Sequence, residues 1–188
     1  MTTCYTWWNF VKHKSKERHM RVRSNYVVYL SGSMFKDHPE HETWREHAVM
    51  LLEESGVQTL NPFRGRDVRG EITKVGSYHY TESTAPINNK LTNLLVNRDH
   101  KDVEDCDLLL VNLQGTKGER PSIGTVSELA WAHLMNKPVI CIVDEETTED
   151  DYYKHPFMHT FVSQWVATVD EGVVAILRFW HPDADESR

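Results

Sequence analysis

Residues 105–144 read DCDLLLVNLQGTKGERPSIGTVSELAWAHLMNKPVICIVD. Two apolar runs of strand length, 108–113 and 139–143, enclose a helical pattern that follows a polar loop. Strand, loop, helix and strand make a βαβ unit, which predicts two parallel neighbouring strands joined by a right-handed crossover. Open parallel sheets take their ligands outside the carboxyl ends of the strands. The loop after Leu113 and a helix starting between Ser122 and Gly124 lie at that edge, which makes Glu128 the first carboxylate to suspect of chemistry. A start near Ser122 puts Glu128 in the first two helical turns, where the macrodipole favours an ionised carboxylate by about 0.3–1 kcal/mol. Such a group suits a nucleophile rather than a proton donor. Ser122 can cap the helix, and Gly124 lets backbone N–H groups come close to an anion. The pattern leaves a plainer alternative open: Ser122 only a cap, and Glu128 only a solvated helix residue.

The chain around this unit has 188 residues, enough for one α/β domain with a sizeable core. A hydrophobic share of 39% and a charged share of 26% fit a globular protein in water. The net charge of −7 argues against a general nucleic-acid binder. No apolar run approaches the ~20 residues that span a bilayer, and no signal peptide is legible, so a cytoplasmic protein without membrane partners is expected. Cys4, Cys106 and Cys141 are odd in number, and two of them lie next to or in predicted strands. They read as reduced core thiols.

Upstream, residues 1–24 form a basic and aromatic arm (Trp7, Trp8, Phe10, then Lys12 to Arg23) without trustworthy periodicity. The α/β domain is expected over residues 25–182. Residues 26–30, YVVYL, read as its first core strand and run into Ser31, Gly32, Ser33 and Met34, a small-residue loop of the kind that brings backbone close to a ligand. A helix over 39–55 and a short strand over 57–60 follow, and Asn61-Pro62-Phe63-Arg64 leaves that strand at the ligand-facing edge. Residues 68–88 are polar and rich in Gly, Ser, Thr and Tyr, the length of a lid or insertion. A helix over 89–104 carries Leu91, Leu95 and Val103 on its buried stripe with Asp99 near it, and a carboxylate so placed is either paired, with Arg98 or a ligand, or functional. Beyond the central unit come an acidic loop at 145–153, a segment opening at His155-Pro156, a strand over 165–169, a helix over 172–180 and an acidic tail at 183–188.

Several chemistries fail on spacing. His155 and His159, or His38, His41 and His47, lack a third ligand at metal spacing, and H-E-x-x-H is absent. Neither a G-x-S-x-G elbow nor a G-x-G-x-x-G fingerprint occurs, so no metal and no dinucleotide cofactor is expected. Two carboxylates remain at one sheet edge, Asp99 and Glu128, beside loops and a helix start able to bind an anion. That set suits chemistry at a sugar C1′, where an oxocarbenium-like transition state needs negative charge beside it.

The chain resembles the nucleoside 2-deoxyribosyltransferase superfamily, including its deoxynucleoside-monophosphate N-glycosidase branch. The resemblance rests on VYLSGSM (28–34), NPFR (61–64), Arg98-Asp99, Asp105-Cys106-Asp107, SIGTVSELAWA (122–132) and Lys137-Pro138-Val139. It implies a doubly wound, flavodoxin-like parallel sheet of five strands in a single domain, a homodimer or higher oligomer, and a small-molecule deoxynucleoside or deoxynucleotide as substrate. It further implies Glu128 as the nucleophile at C1′, Asp99 as the acid that helps protonate the leaving base, and Tyr29 as the hydroxyl that orients the nucleophile. Gly32 and Met34, with Ser31, Ser33, Asn61, Arg64, Ser122 and Gly124, become the substrate-binding set. Transferases acting on free nucleosides carry an acidic residue six positions before the nucleophile; here Ser122 stands there, which favours a 5′-phosphate over a 5′-hydroxyl. A catalytically silent nucleotide-binding or sensor module of the same fold is the alternative.

Overall fold

The computed structural model describes residues 26–33, 40–62, 64, 89–114, 122–143 and 155–180. The arm at 1–24, the insertion at 68–88, the acidic loop at 145–153, the tail at 183–188, Met34 and both limits of the expected domain lie outside the described residues.

Five strands make one sheet: β1 (Val27–Gly32), β2 (Gln58–Leu60), β3 (Leu108–Asn112), β4 (Val139–Ile142) and β5 (Gln164–Val166). Their spatial order is β2-β1-β3-β4-β5, and every pairing is parallel. Helices connect them: α1 (Glu40–Glu54), α2 (Asn89–Asp105), α3 (Ile123–Leu134) and α4 (Pro156–Phe161), with α5 (Val169–Trp180) after the last strand. This is the doubly wound, flavodoxin-like order, and the chain reverses direction across the sheet between β1 and β3. The ligand crevice of such a sheet opens at that point, where Gly32 pairs with Asn112.

Both faces of the sheet are covered, so β1 and β3 are apolar almost throughout, as buried parallel strands are. Side chains alternate between the faces. Val28, Leu30, Leu108, Leu110, Ile140 and Ile142 pack with α1 and α5 in one core. Tyr29, Leu109, Val111, Val139 and Cys141 pack with Val103 and Cys106 at the end of α2, Leu129 and Ala132 of α3 and Met158 of α4 in the other. Each fully buried Leu, Ile or Val contributes about 1.5–3 kcal/mol. α5 sits close on the sheet because Gly172 has no side chain: a Cβ there would lie 2.8 Å from Leu110 Cδ1.

The last two elements differ from the sequence expectation. β5 ends at Val166, and α5 begins at Val169 rather than at Gly172. The cause is local: Thr168 Oγ1 accepts from Glu171 N at 3.1 Å, and Glu171 Oε2 accepts from Ala167 N at 2.9 Å. The Thr168 bond is that of an N-cap to the third helical residue, and Glu171 reaches back one residue beyond the cap, so the sequence Thr168-Val169-Asp170-Glu171 starts the helix through its side chains.

Candidate active site

Glu128 lies on the side of α3 that is buried with Thr125, Leu129 and Ala132. It faces β1, where Tyr29 and Ser31 are two residues apart and share one face of the strand. Tyr29 Oη donates to Glu128 Oε1 at 2.8 Å, and Ser31 Oγ donates to Oε2. The strand alternation in YVVYLS thus delivers two hydroxyls to one carboxylate, one to each oxygen. Glu128 is 6% exposed, so the solvated alternative is overturned.

Burial also reverses the electrostatic expectation. It pushes the Glu128 carboxyl up to about 7, against the two hydroxyl hydrogen bonds that favour its charge; the Asp99 charge adds to the rise and Arg45 opposes it. A helix start supplies only about 0.3–1 kcal/mol, less than a buried carboxylate loses with its water. Burial, then the charge of Glu128, raises Tyr29 well above its ordinary value, so it remains a donor. Glu128 therefore shifts from acid to carboxylate near neutrality. If the carboxylate is the reacting form, kcat/KM should climb with pH up to about 7 and then level. A pH–rate profile checks this, and a profile flat between pH 5 and 8 contradicts it.

The remaining predicted residues distribute as follows. Asp99 is paired with Arg98, whose Nη2 and Nε reach Asp99 Oδ1 at 2.7 and 3.1 Å. Arg98 Nη2 also donates to Pro62 O at 2.9 Å, tying α2 to the loop after β2. In that loop Arg64 binds its own Asn61 O and the buried Asp102. Gly32 and the buried Ser33 end β1, and the Ser33 hydroxyl makes no hydrogen bond among the described residues. Ser122 caps α3: its Oγ accepts from Thr125 N at 3.1 Å and lies 2.6 Å from Thr125 Oγ1. Gly124 follows in the first turn, where among the described residues nothing comes closer to a Cβ than Ser122 Oγ at 3.9 Å. The first N–H groups of a helix have no acceptor within it, so this end can receive an anion.

Two residues escaped the sequence reading. Asp102, 5% exposed, sits one turn beyond Asp99 and has one carboxylate oxygen without a hydrogen bond among the described residues. Arg45 is fully buried behind the β1 loop. The signals were present: 102 is three after 99, and 45 falls on the apolar stripe of 48 and 52. Among the described residues no group of three or more His, Cys, Asp or Glu could hold a metal ion.

A family model for nucleoside 2-deoxyribosyltransferase matches residues 28–161, from the first core strand to the end of α4. The chain belongs to this family. Membership places its chemistry, in general terms, in deoxyribosyl transfer. Among solved structures, a 2-deoxyribosyltransferase from the psychrotolerant bacterium Bacillus psychrosaccharolyticus is similar at 12% identity, over 77% of this chain and 88% of that one, with a TM-score of 0.51. A CMP N-glycosidase of Clostridium botulinum is similar at 18% identity, over 82% of this chain and 98% of that one, with a TM-score of 0.46. Likeness at such identity concerns the fold. No curated protein matches the chain significantly. In this nucleoside 2-deoxyribosyltransferase-family chain, no described helix is long and apolar enough to cross a membrane.

Proposed function

We propose that this protein cleaves the N-glycosidic bond of a 2′-deoxyribonucleoside 5′-monophosphate, or of the nucleoside, through a covalent deoxyribosyl-enzyme. The observation that carries the reading is the Glu128 carboxylate, buried and gripped by Tyr29 and Ser31 at the ligand edge of the sheet. In the first step a Glu128 oxygen attacks C1′, the C1′–N bond breaks, and its electron pair leaves with the base. Asp99 assists by helping a proton reach the departing nitrogen. In the second step water, or the nitrogen of a second base, attacks C1′ and frees the carboxylate. Tyr29 and Ser31 keep both oxygens aimed while charge drains from them, which limits reorganisation.

Ser31, Gly32, Ser33, Asn61 and Arg64 line the sugar and base side in this reading, while Ser122 and Gly124 receive the 5′ end. The protein assembles as a homodimer or higher homo-oligomer. The direct test is to incubate it with each deoxynucleoside monophosphate, measure free base, and weigh the acid-quenched protein. A deoxyribosyl phosphate adduct on the peptide holding Glu128 supports the mechanism. Tight binding without base release from any substrate would favour a silent nucleotide-binding module instead. Added second base separates transfer from hydrolysis.

Ser122 makes the branch testable. Its oxygen accepts from Thr125 N, which leaves its proton to donate to Thr125 Oγ1 or to a phosphate. Hydrogen bonds to charged groups are worth about 1.5–3 kcal/mol, so kcat/KM should favour the monophosphate about ten-fold or more over the nucleoside. Ser122→Asp should reverse the order. Aspartate caps a helix as well as serine does, so the fold is kept, while its charge repels phosphate and can accept from a 5′-hydroxyl. A wild type that prefers the nucleoside would sink the phosphate assignment.

A further inference from the structure

Arg45 heads the fully buried side chains by size among the described residues. Its guanidinium lies 4.6 Å from the ring centre of Trp44. From α1 it reaches the main chain where β1 ends: Nη2 donates to Gly32 O at 2.8 Å, Nη1 to Ser33 O at 3.1 Å and Nε to Leu30 O at 3.4 Å. Taking a cation out of water is costly, and only good geometry recovers the loss. Its carbonyl partners bracket Ser31, the residue that grips Glu128 Oε2. The same turn contains the Ser33 hydroxyl, buried without a hydrogen bond among the described residues, an unfavourable arrangement that needs a firm scaffold.

We propose that Arg45 is a positioning residue for the nucleophile: its three-carbonyl fork fixes the β1 turn from which Tyr29 and Ser31 hold Glu128, and its cation adds to the field in which that carboxylate works. The inference rests on Glu128 being the reacting group. The ionisable groups acting on Glu128 are Tyr29 from β1, Asp99 from α2 and Arg45 from α1. Tyr29 stays protonated, and Asp99 opposes ionisation. On α2 the cation Arg98 is paired with Asp99 and tempers that charge; without Arg45 the burial and what remains of the Asp99 charge act on Glu128 without the cation that opposes them.

The test uses the full chain with Arg45→Met and Arg45→Lys, read in two ways. Carbon-13 NMR titration of the Glu128 side chain needs no substrate. In Arg45→Met its midpoint should move upward by roughly half a pH unit or more, and in Arg45→Lys it should stay near wild type, because the charge is kept. Turnover supplies the second measurement. Both variants lose the fork, so kcat should fall about ten-fold or more, with a smaller change in KM. In Arg45→Met part of that loss should return as pH is raised.

An unmoved Glu128 midpoint in Arg45→Met, with wild-type kcat and only a lower Tm, would reduce Arg45 to packing and overturn the proposal. If Arg45→Met does not fold, Arg45→Lys decides alone: wild-type kcat overturns the positioning role. A shifted midpoint in a protein that releases no base from any substrate would retire the glycosidase reading while leaving the field of Arg45 on Glu128 standing.

Discussion

Glu128→Gln should release base about 10⁴-fold more slowly than wild type or worse, while the protein folds and, above neutral pH, becomes more stable. The loss follows from removing a covalent nucleophile: an amide oxygen cannot form the ester to C1′ that splits the reaction into two easier steps. The gain follows from linkage. Burial raises the carboxyl from its ordinary 4.5 to about 7 in the folded chain. The stability that this group contributes is fully present below the unfolded value and is lost as pH rises through about 7. Above that pH the native state carries a buried charge that the unfolded state keeps in water. Glutamine carries none, and its amide can still meet the Tyr29 and Ser31 hydroxyls. A tenfold change in a proton-binding constant corresponds to about 1.4 kcal/mol, so a rise from 4.5 to about 7 predicts a gain of about 3 kcal/mol at pH 8. That corresponds to roughly 6–12 °C in Tm for a domain of this size. Rate and Tm moving in opposite directions mark a side chain kept for chemistry. A Tm that falls with the rate, or a rate near wild type, removes Glu128 from the mechanism.

Much of this site is legible in the sequence because it depends on local rules. Two strand-length apolar runs with a helix between them place Glu128 at the ligand edge, and the period of two in β1 puts Tyr29 and Ser31 on one face. The hand of the crossover then brings that face under α3. The sign of the Glu128 environment is not legible in the same way. Proximity to a helix start is a sequence property, whereas burial is produced by what packs around the residue, and here burial is the stronger effect. Arg45 and Asp102 illustrate the converse error. Read one by one they are ordinary surface charges of helices rich in such charges, and only their phase with Ala48 and Leu52, or with Asp99, marks them as inward. The boundary of α5 departs from the apolar period because Thr168 and Glu171 cap it through side chains, a signal independent of that period. The proposed 5′-phosphate rests on Ser122 alone, whose capping role and proposed ligand role would use different parts of one hydroxyl.

Gly32→Ala should cost about 2–6 kcal/mol of folding stability, the sum of backbone strain and steric overlap at about 1–3 kcal/mol each. Gly32 has φ +149°, a conformation that residues with a Cβ rarely adopt. A Cβ there would lie 2.7 Å from Asn112 O, 3.3 Å from a ring carbon of Trp44 and 3.4 Å from Arg45 Nη2. The first contact is backbone, and it cannot give way easily, because Gly32 and Asn112 are register partners at the switch point between β1 and β3. Against a total of about 5–15 kcal/mol for a domain, the loss is large enough to shift the denaturant midpoint sharply. Relief would have to come from moving the turn, which carries Ser31 away from Glu128 and loosens the Arg45 fork, so surviving folded protein should also be slow. Gly124→Ala is the control, because both glycines stand in the candidate binding set but for different reasons. Among the described residues no atom other than Ser122 Oγ, at 3.9 Å, comes within 4 Å of a Cβ there, and alanine suits a helix better than glycine, so stability should hold or rise slightly. If the α3 start receives the 5′-phosphate, the added methyl raises KM for the monophosphate without lowering Tm. Equal stability losses in the two variants would mean that the β1–β3 approach is not the constraint that makes position 32 glycine.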